Sequence, residues 1–168
     1  MIYEPQEDSF LLQKYVRKCA HGRVLDVGTG SGIQALTALE KTKEVVAVDV
    51  SEDVVKFVRS KGVNAKVSNL FSGVDGKFDL IIFNPPYLPP DEHDDDIATS
   101  GGIEVVDRFL SQAKKFLNKD GKILLVFSSL TGDVDSVLKK YGYDFECLER
   151  ENHFFEKLFV YLIYINLK

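Results

Sequence analysis

Residues 84–87 read Asn84-Pro85-Pro86-Tyr87 and stand at the end of an apolar run, Phe78-Asp79-Leu80-Ile81-Ile82-Phe83. Such a tetrapeptide can hold a planar nitrogen. The side-chain oxygen of Asn84 and the neighbouring backbone carbonyls accept both hydrogens of an NH₂ group. The prolines stiffen that geometry, because each has a fixed φ and no N–H of its own. Tyr87 offers a flat face on which an amide or a base can stack. Taken alone, the tetrapeptide is equally well a rigid turn after a strand. Its weight comes from what precedes it in the chain.

Upstream the sequence runs Arg23-Val24-Leu25-Asp26-Val27-Gly28-Thr29-Gly30-Ser31-Gly32 and continues Ile33-Gln34-Ala35-Leu36-Thr37-Ala38-Leu39. A short apolar strand enters a turn with glycine at alternate positions, and a helix-forming segment follows. Glycine serves where a ligand approaches the backbone closely or where φ turns positive. A second apolar strand, Val45-Val46-Ala47-Val48, ends in Asp49. An acid at the carboxyl end of that strand is placed to grip a ribose diol.

The glycine spacing bears on which nucleoside is held. A dinucleotide fingerprint reads G-x-G-x-x-G and sets a pyrophosphate on a helix N-terminus. Here the pattern is Gly28-x-Gly30-x-Gly32, with Asp26 two residues before the first glycine. A carboxylate there repels a pyrophosphate and suits a cationic ligand bearing an ammonium group. S-adenosylmethionine is a cationic ribonucleoside of that description, and a nicotinamide or flavin nucleotide is disfavoured.

Asp26-Val27-Gly28-Thr29-Gly30-Ser31-Gly32, then Asp49, then Asn84-Pro85-Pro86-Tyr87 resemble, in that order, the class I (Rossmann-like) S-adenosylmethionine-dependent methyltransferases. The Asn-Pro-Pro-Tyr form belongs to members that methylate an amide or an exocyclic amine. A third element, Tyr3-Glu4-Pro5-Gln6-Glu7-Asp8-Ser9-Phe10-Leu11-Leu12, is similar to the N-terminal signature of the short HemK-like glutamine methyltransferases of archaea and eukaryotes. Those enzymes act on the Gly-Gly-Gln glutamine of class-1 translation release factors. The resemblance implies an α/β fold with a seven-stranded, mostly parallel sheet, an antiparallel C-terminal hairpin and helices on both faces. An adenine-N6 methyltransferase, with a flipped base on Tyr87, is the runner-up. A non-catalytic binding subunit on the same fold is a third reading, opposed by the intact Asn-Pro-Pro-Tyr and glycine loop.

The resemblance also implies roles. Asp26 and Gly28 line the methionine part of the cofactor, with Gly30 beside them in the loop, and Asp49 binds the ribose hydroxyls. Asn69 with Leu70 faces adenine, although the family more often has Asp where this chain has Asn69. Ser9 closes the pocket from the N-terminal segment. Asn84 and Pro85 accept the two hydrogens of the reacting nitrogen, Pro86 and Tyr87 complete the substrate turn, and Asn84 also borders the cofactor. The expected mechanism is positioning and electrostatic preorganisation, with no metal required.

Composition sets the outer bounds. A chain of 168 residues with 45% hydrophobic and 28% charged content reads as one soluble domain able to bury a substantial core. No apolar run is long enough to cross a bilayer. The early acids Glu4, Glu7 and Asp8 argue against a signal or transit peptide. Cys19 and Cys147 lack metal-ligand spacing and read as isolated thiols, so a reducing cytoplasm is expected. A net charge of −5 disfavours nucleic acid as substrate, and the small basic groups (Lys14, Arg17 and Lys18; Lys114 and Lys115) read as helical solvent faces. The segment from Leu88 to Asp96 carries two prolines and five acids around His93 and is expected to be an exposed, flexible loop spanning about 88–100, more than a metal site.

The elements that must position these residues follow from periodicity. Asp8 or Ser9 is expected to cap a helix through Phe10, Leu11, Leu12, Tyr15 and Val16. Strands are expected at 23–27, at 45–48, at 65–67, at 78–83 and at 121–127. Ser51 should open a helix presenting Val54, Val55 and Val58, and Lys61-Gly62 should end it. A helix from Gly101-Gly102 is expected to carry Val105, Val106, Phe109, Leu110, Ala113, Phe116 and Leu117, and a further one to carry Val134 to Leu138. Tyr143 to Arg150 and Phe154 to Ile165 read as two strands joined by a turn, hence antiparallel. About 20 residues precede the first strand, where bacterial relatives carry a helical substrate-binding domain. The resemblance implies instead a small zinc-ribbon activator subunit beside the third strand, near Val63, Ala65 and Val67, an edge otherwise open to unwanted pairing.

Overall fold

The computed structural model describes residue 2, residues 4–86 and residues 102–166. Tyr87 and the acidic 88–100 stretch lie outside the described residues. The element order is α1 (Glu7–Cys19), β1 (Arg23–Val27), α2 (Ile33–Leu39), β2 (Glu44–Asp49), α3 (Glu52–Ser60), β3 (Asn64–Val67), β4 (Phe78–Phe83), α4 (Gly102–Ala113), β5 (Leu117–Ser128), α5 (Val134–Lys140), β6 (Asp144–Asn152) and β7 (Lys157–Tyr164), with one 3₁₀ turn at Lys114–Phe116.

The strands form one seven-stranded sheet in the order β3-β2-β1-β4-β5-β7-β6. The β1–β2, β1–β4, β2–β3 and β4–β5 pairs are parallel, and β7 runs antiparallel to both β5 and β6. This is the expected architecture. Alternation along the central strands divides the core into two layers. Val24, Leu80, Ile82, Leu124 and Val126 pack with Leu12 and Val16 of α1, Ala35 and Ala38 of α2, and Val54, Val55 and Val58 of α3. Leu25, Ile81, Phe83, Ile123 and Leu125 pack with Val106, Phe109 and Leu110 of α4 and Leu138 of α5. A strand buried on both faces reads as a continuous apolar run, which is why β4 and β5 were visible in the sequence.

Four boundaries differ from expectation. The N-cap of α1 is Gln6, whose backbone N–H donates to Ser9 Oγ at 3.3 Å, so Asp8 and Ser9 lie inside the first turn. The helix expected to reach Leu117 ends at Ala113. Lys114–Phe116 tighten into a 3₁₀ turn, and Leu117 opens β5 opposite Phe78. Lys-Lys-Phe-Leu continues an i, i+3, i+4 apolar pattern, so periodicity alone carries the helix too far. The strand expected from Tyr143 to Arg150 runs instead from Asp144 to Asn152. Phe154, expected in the last strand, sits with Phe155 in the exposed β6–β7 turn, and β7 starts at Lys157.

β1 and β4 are neighbours at the centre, and the chain leaves them toward opposite edges. The crevice beyond their carboxyl ends is the topological switch point, where ligands bind in open α/β sheets. The glycine loop follows β1 and Asn84 follows β4.

Candidate active site

The glycine loop is held from beneath by a buried acid. Asp26 is the fourth residue of β1 and is almost completely enclosed. Its Oδ2 accepts from Thr29 Oγ1 at 2.7 Å and from the Ala35 backbone N–H at 3.2 Å, bridging strand, loop and helix. Burial pushes its carboxyl up to about 7. The Thr29 and Ala35 hydrogen bonds work against that rise, and the neighbouring Asp49 adds to it. The loop is further tied by Thr29 N–H to the Val48 carbonyl at 3.0 Å and by Gly32 N–H to the Thr29 carbonyl at 2.8 Å. Gly28 and Gly30 have φ of 66° and 55°, in the left-handed region where a side chain is strained. A Cβ on Gly28 would meet only the edge of Phe83, at 3.8 Å, so the backbone here presents an open face.

Asp49, at the end of β2, is half-buried and supports the loop from the side. Oδ2 accepts from Gly30 N–H at 3.1 Å and Oδ1 from Ser51 N–H at 3.0 Å. Each carboxylate oxygen can accept more than one hydrogen bond, so capacity for a diol remains. Ser51 also caps α3, accepting from Val54 N–H at 3.3 Å.

After β3, the chain makes a tight turn organised by Ser68. Its buried hydroxyl donates to the Leu70 carbonyl at 2.7 Å and accepts from Gly73 N–H at 2.8 Å. Leu70 has a φ of 51°, a strained value for leucine, in the segment expected to face an adenine. Asn69 is exposed, and Arg108 of α4 approaches its amide oxygen at 3.4 Å. This places a guanidinium beside the position where the family more often carries an acid.

The acceptor turn is fixed differently. Asn84 Nδ2 donates at 3.0 Å to Oδ2 of Asp8, a buried carboxylate in the first turn of α1. Pro85 is buried and Pro86 exposed. Below them Phe83 stacks on Phe109, with ring centroids 4.2 Å apart. The first turn of α1 is in turn anchored to the helix that leaves the glycine loop. Gln34 Nε2 donates to the Ser9 carbonyl at 2.8 Å, and Gln13 Nε2 donates to Thr37 Oγ1 at 3.0 Å. Gln34 Oε1 is buried and has no hydrogen-bond partner among the described residues.

The structure thus brings Asp26, Gly28, Gly30 and Asp49 together around one loop, with Asn84 and Pro85 across the switch point. It places Ser9 at the Gln34 clamp, buried, with its carbonyl engaged. Sequence reasoning missed Asp8 as a partner of Asn84, Gln34 as the clamp and Ser68 as the turn organiser. Asp8 did carry a signal. It shares the i, i+3, i+4, i+7, i+8 face with Leu11, Leu12, Tyr15 and Val16, and an acid on an apolar stripe is an acid facing inward. Among the described residues no cluster of His, Cys, Asp and Glu is arranged to hold a metal ion, and no helix is long and apolar enough to cross a membrane.

A doubly wound sheet with a glycine loop after β1, flanked by two acids, and a proline-stiffened Asn after the adjacent β4 is a Rossmann-like methyltransferase fold. The chain belongs to the methyltransferase small domain family, whose signature it matches over residues 6–155. It is 36% identical, over 95% of its length and 89% of the relative's, to a protein of Methanocaldococcus jannaschii named as a candidate protein N5-glutamine methyltransferase. It is 34% identical over 66% of its length to the release factor glutamine methyltransferase of Deinococcus radiodurans, of which the match covers 47%, so the chain spans about half of that relative. Its fold matches a chain of the E. cuniculi Mtq2–Trm112 complex, described as responsible for methylation of the translation termination factor eRF1, with a TM-score of 0.80, 25% identity and coverage of 98% and 99% of the two chains.

Proposed function

We propose that this chain is the catalytic subunit of a protein-glutamine N5-methyltransferase acting on the Gly-Gly-Gln glutamine of a class-1 translation release factor. The observation that carries the reading is the turn after β4, where Asn84 directs its NH₂ toward Asp8 and so turns its oxygen the other way. In this reading that oxygen and the Pro85 carbonyl accept the two N–H hydrogens of a primary amide.

The residues around the glycine loop fit S-adenosylmethionine. Asp49 places an acid beside an open, left-handed glycine backbone, and Asp26, whose carboxyl burial raises to about 7, ionises readily when a cation binds next to it. The site therefore favours a cation and opposes a pyrophosphate. In this reading Asp26, Gly28 and Gly30 hold the methionine part, Asp49 the ribose, Asn69 and Leu70 the adenine, and Ser9 and Asn84 border the site. When bound, the cofactor supplies an electrophilic methyl group on a sulfonium. Asp26 acts through the loop it organises as well as through its charge, since its Oδ2 is already engaged by Thr29 and Ala35.

An amide nitrogen is a poor nucleophile, because its lone pair is delocalised into the carbonyl. Asn84 Oδ1 and the Pro85 carbonyl fix the direction of that lone pair and stabilise positive charge as it develops on the nitrogen. Tyr87, outside the described residues, is assigned the stacking face on sequence grounds. A small activating subunit is proposed to lie along β3. That strand is one edge of the sheet and Val67 is about half exposed, while Arg59 Nε, which donates to the Ala65 carbonyl at 2.8 Å, would release it for a strand to pair there.

The test is methyl transfer from labelled S-adenosylmethionine to a purified release factor and, in parallel, to unmethylated DNA and RNA. Label is expected on the protein. Asn84→Ala is expected to reduce turnover by about 10²-fold or more, the scale for one preorganised polar group, while calorimetry shows cofactor binding retained. Label confined to nucleic acid would move the same pocket to adenine chemistry.

A further inference from the structure

We infer that Asp8 is a positioning residue for catalysis, setting which end of the Asn84 amide faces the acceptor nitrogen. The inference rests on the reading of Asn84 as an acceptor-holding group.

An asparagine amide is nearly symmetric in shape but opposite in chemistry at its two ends. Turned one way it offers an acceptor to an incoming N–H, and turned the other way it offers a donor that repels it. Nothing in the Asn84-Pro85-Pro86 turn itself selects between the two. A carboxylate accepts and cannot donate, so the 3.0 Å contact to Asp8 Oδ2 commits Nδ2 to α1. Oδ1 then points away from α1. The bond is charge-assisted and draws electron density toward Oδ1, which improves that oxygen as an acceptor where positive charge develops.

Asp8 is itself held. It lies in the first turn of α1, buried, next to Ser9, whose carbonyl takes the Gln34 Nε2 hydrogen at 2.8 Å. Gln34 is the second residue of the helix leaving the glycine loop. A continuous path therefore runs from the glycine loop through Gln34, Ser9 and Asp8 to Asn84. Farther along α1, Tyr15 Oη donates to Glu149 Oε2 of β6 at 2.6 Å, and this bond with burial pushes the phenol up to about 12. The helix is thus pinned along its length, at Ser9, Gln13 and Tyr15, and Asp8 has little freedom to follow a rotating amide.

The test uses the full chain together with its proposed activating subunit and separates orientation from folding. Asp8→Ala is expected to lower kcat about 10- to 100-fold, the scale of one lost charge-assisted hydrogen bond. Cofactor affinity by calorimetry is expected to stay within about twofold, because the glycine loop keeps its own ties. The decisive readout is an exchange. Asn84→Asp sets two carboxylates against each other and is expected to be nearly inactive. Adding Asp8→Asn restores a donor–acceptor pair with an oxygen still presented to substrate, and is expected to recover activity by tenfold or more over Asn84→Asp. A structural role for Asp8 gives no such rescue, so a double variant no better than Asn84→Asp overturns the inference. Loss in Asn84→Ala with full turnover in Asp8→Ala overturns it while leaving the acceptor reading intact. Full turnover in Asn84→Ala overturns both.

Discussion

The two sides of the cleft are built on different principles. Around the glycine loop most fixing contacts are local or between adjacent strands. Asp26 reaches Thr29 and Ala35, Asp49 reaches Gly30 and Ser51, and Thr29 reaches Val48 of the neighbouring strand. Across the switch point, Asn84, in the turn after β4, depends on Asp8, far away in sequence on α1. A locally fixed loop keeps its shape when distant parts shift. An amide fixed by a long-range contact keeps its orientation only while the helix carrying its partner stays docked. In the proposed reading the glycine-loop side is therefore a preformed receptor for the cofactor, whereas the acceptor side depends on the docking of α1.

Phe83 is where the two sides meet, since its ring stacks on Phe109 and borders Gly28. Phe83→Ala should have the largest effect, because it removes a support shared by both sides of the cleft. Its truncation in a closed core is expected to cost about 3–5 kcal/mol, read as a drop in Tm by thermal denaturation, with cofactor affinity and turnover falling together. Loss of turnover alone would mean that the glycine loop does not lean on this ring.

Asp26 makes the glycine-loop side sensitive to pH. Its carboxyl is raised by burial from 3.8 to about 7, so between those values the folded protein holds a proton that the unfolded chain has released. The contribution is therefore complete below about pH 4, declines as pH rises through 7 and is constant above. A shift of about three units corresponds to roughly 4 kcal/mol at most. Chemical denaturation at pH 5 and pH 8 is expected to show this fall, and Asp26→Asn to flatten it. An unchanged slope in Asp26→Asn would place the pH dependence elsewhere.

Gly30→Ala is the smallest of these effects and is confined to the cofactor side. A φ of 55° strains alanine, by about 1–2 kcal/mol. Titration calorimetry should show cofactor binding weakened by about 5- to 30-fold, with turnover at saturating cofactor nearly retained. Equal losses in both would show that the loop also positions the acceptor.

The same division explains what could be read in the sequence. Strands buried on both faces and a glycine loop made of nearest neighbours are legible, because each residue announces its environment locally. Ser51 announced the start of α3 in the same way, with Val54 as its partner. The Leu117 boundary was not legible. Its helical spacing continues through a stretch where the chain turns into β5 to meet Phe78, and Gly121 marks the tight approach, since a Cβ there would come within 2.9 Å of the Phe78 carbonyl. Phe154 reads as a strand residue by type, yet lies exposed in a turn whose shape is set by the pairing of Asn152 with Lys157. The Asp8–Asn84 contact belongs to tertiary structure. One end was visible as a motif, and the other only as an acid on the wrong face of a helix.

In the proposed function the Asn84 pocket holds a glutamine amide. The most direct measurement is mass-spectrometric mapping of the labelled methyl group on a release factor, after incubation with this chain and its proposed activating subunit. A single methyl is expected on the Gly-Gly-Gln glutamine, lost when that glutamine is replaced by asparagine. Methyl on another residue, or on nucleic acid alone, would contradict it.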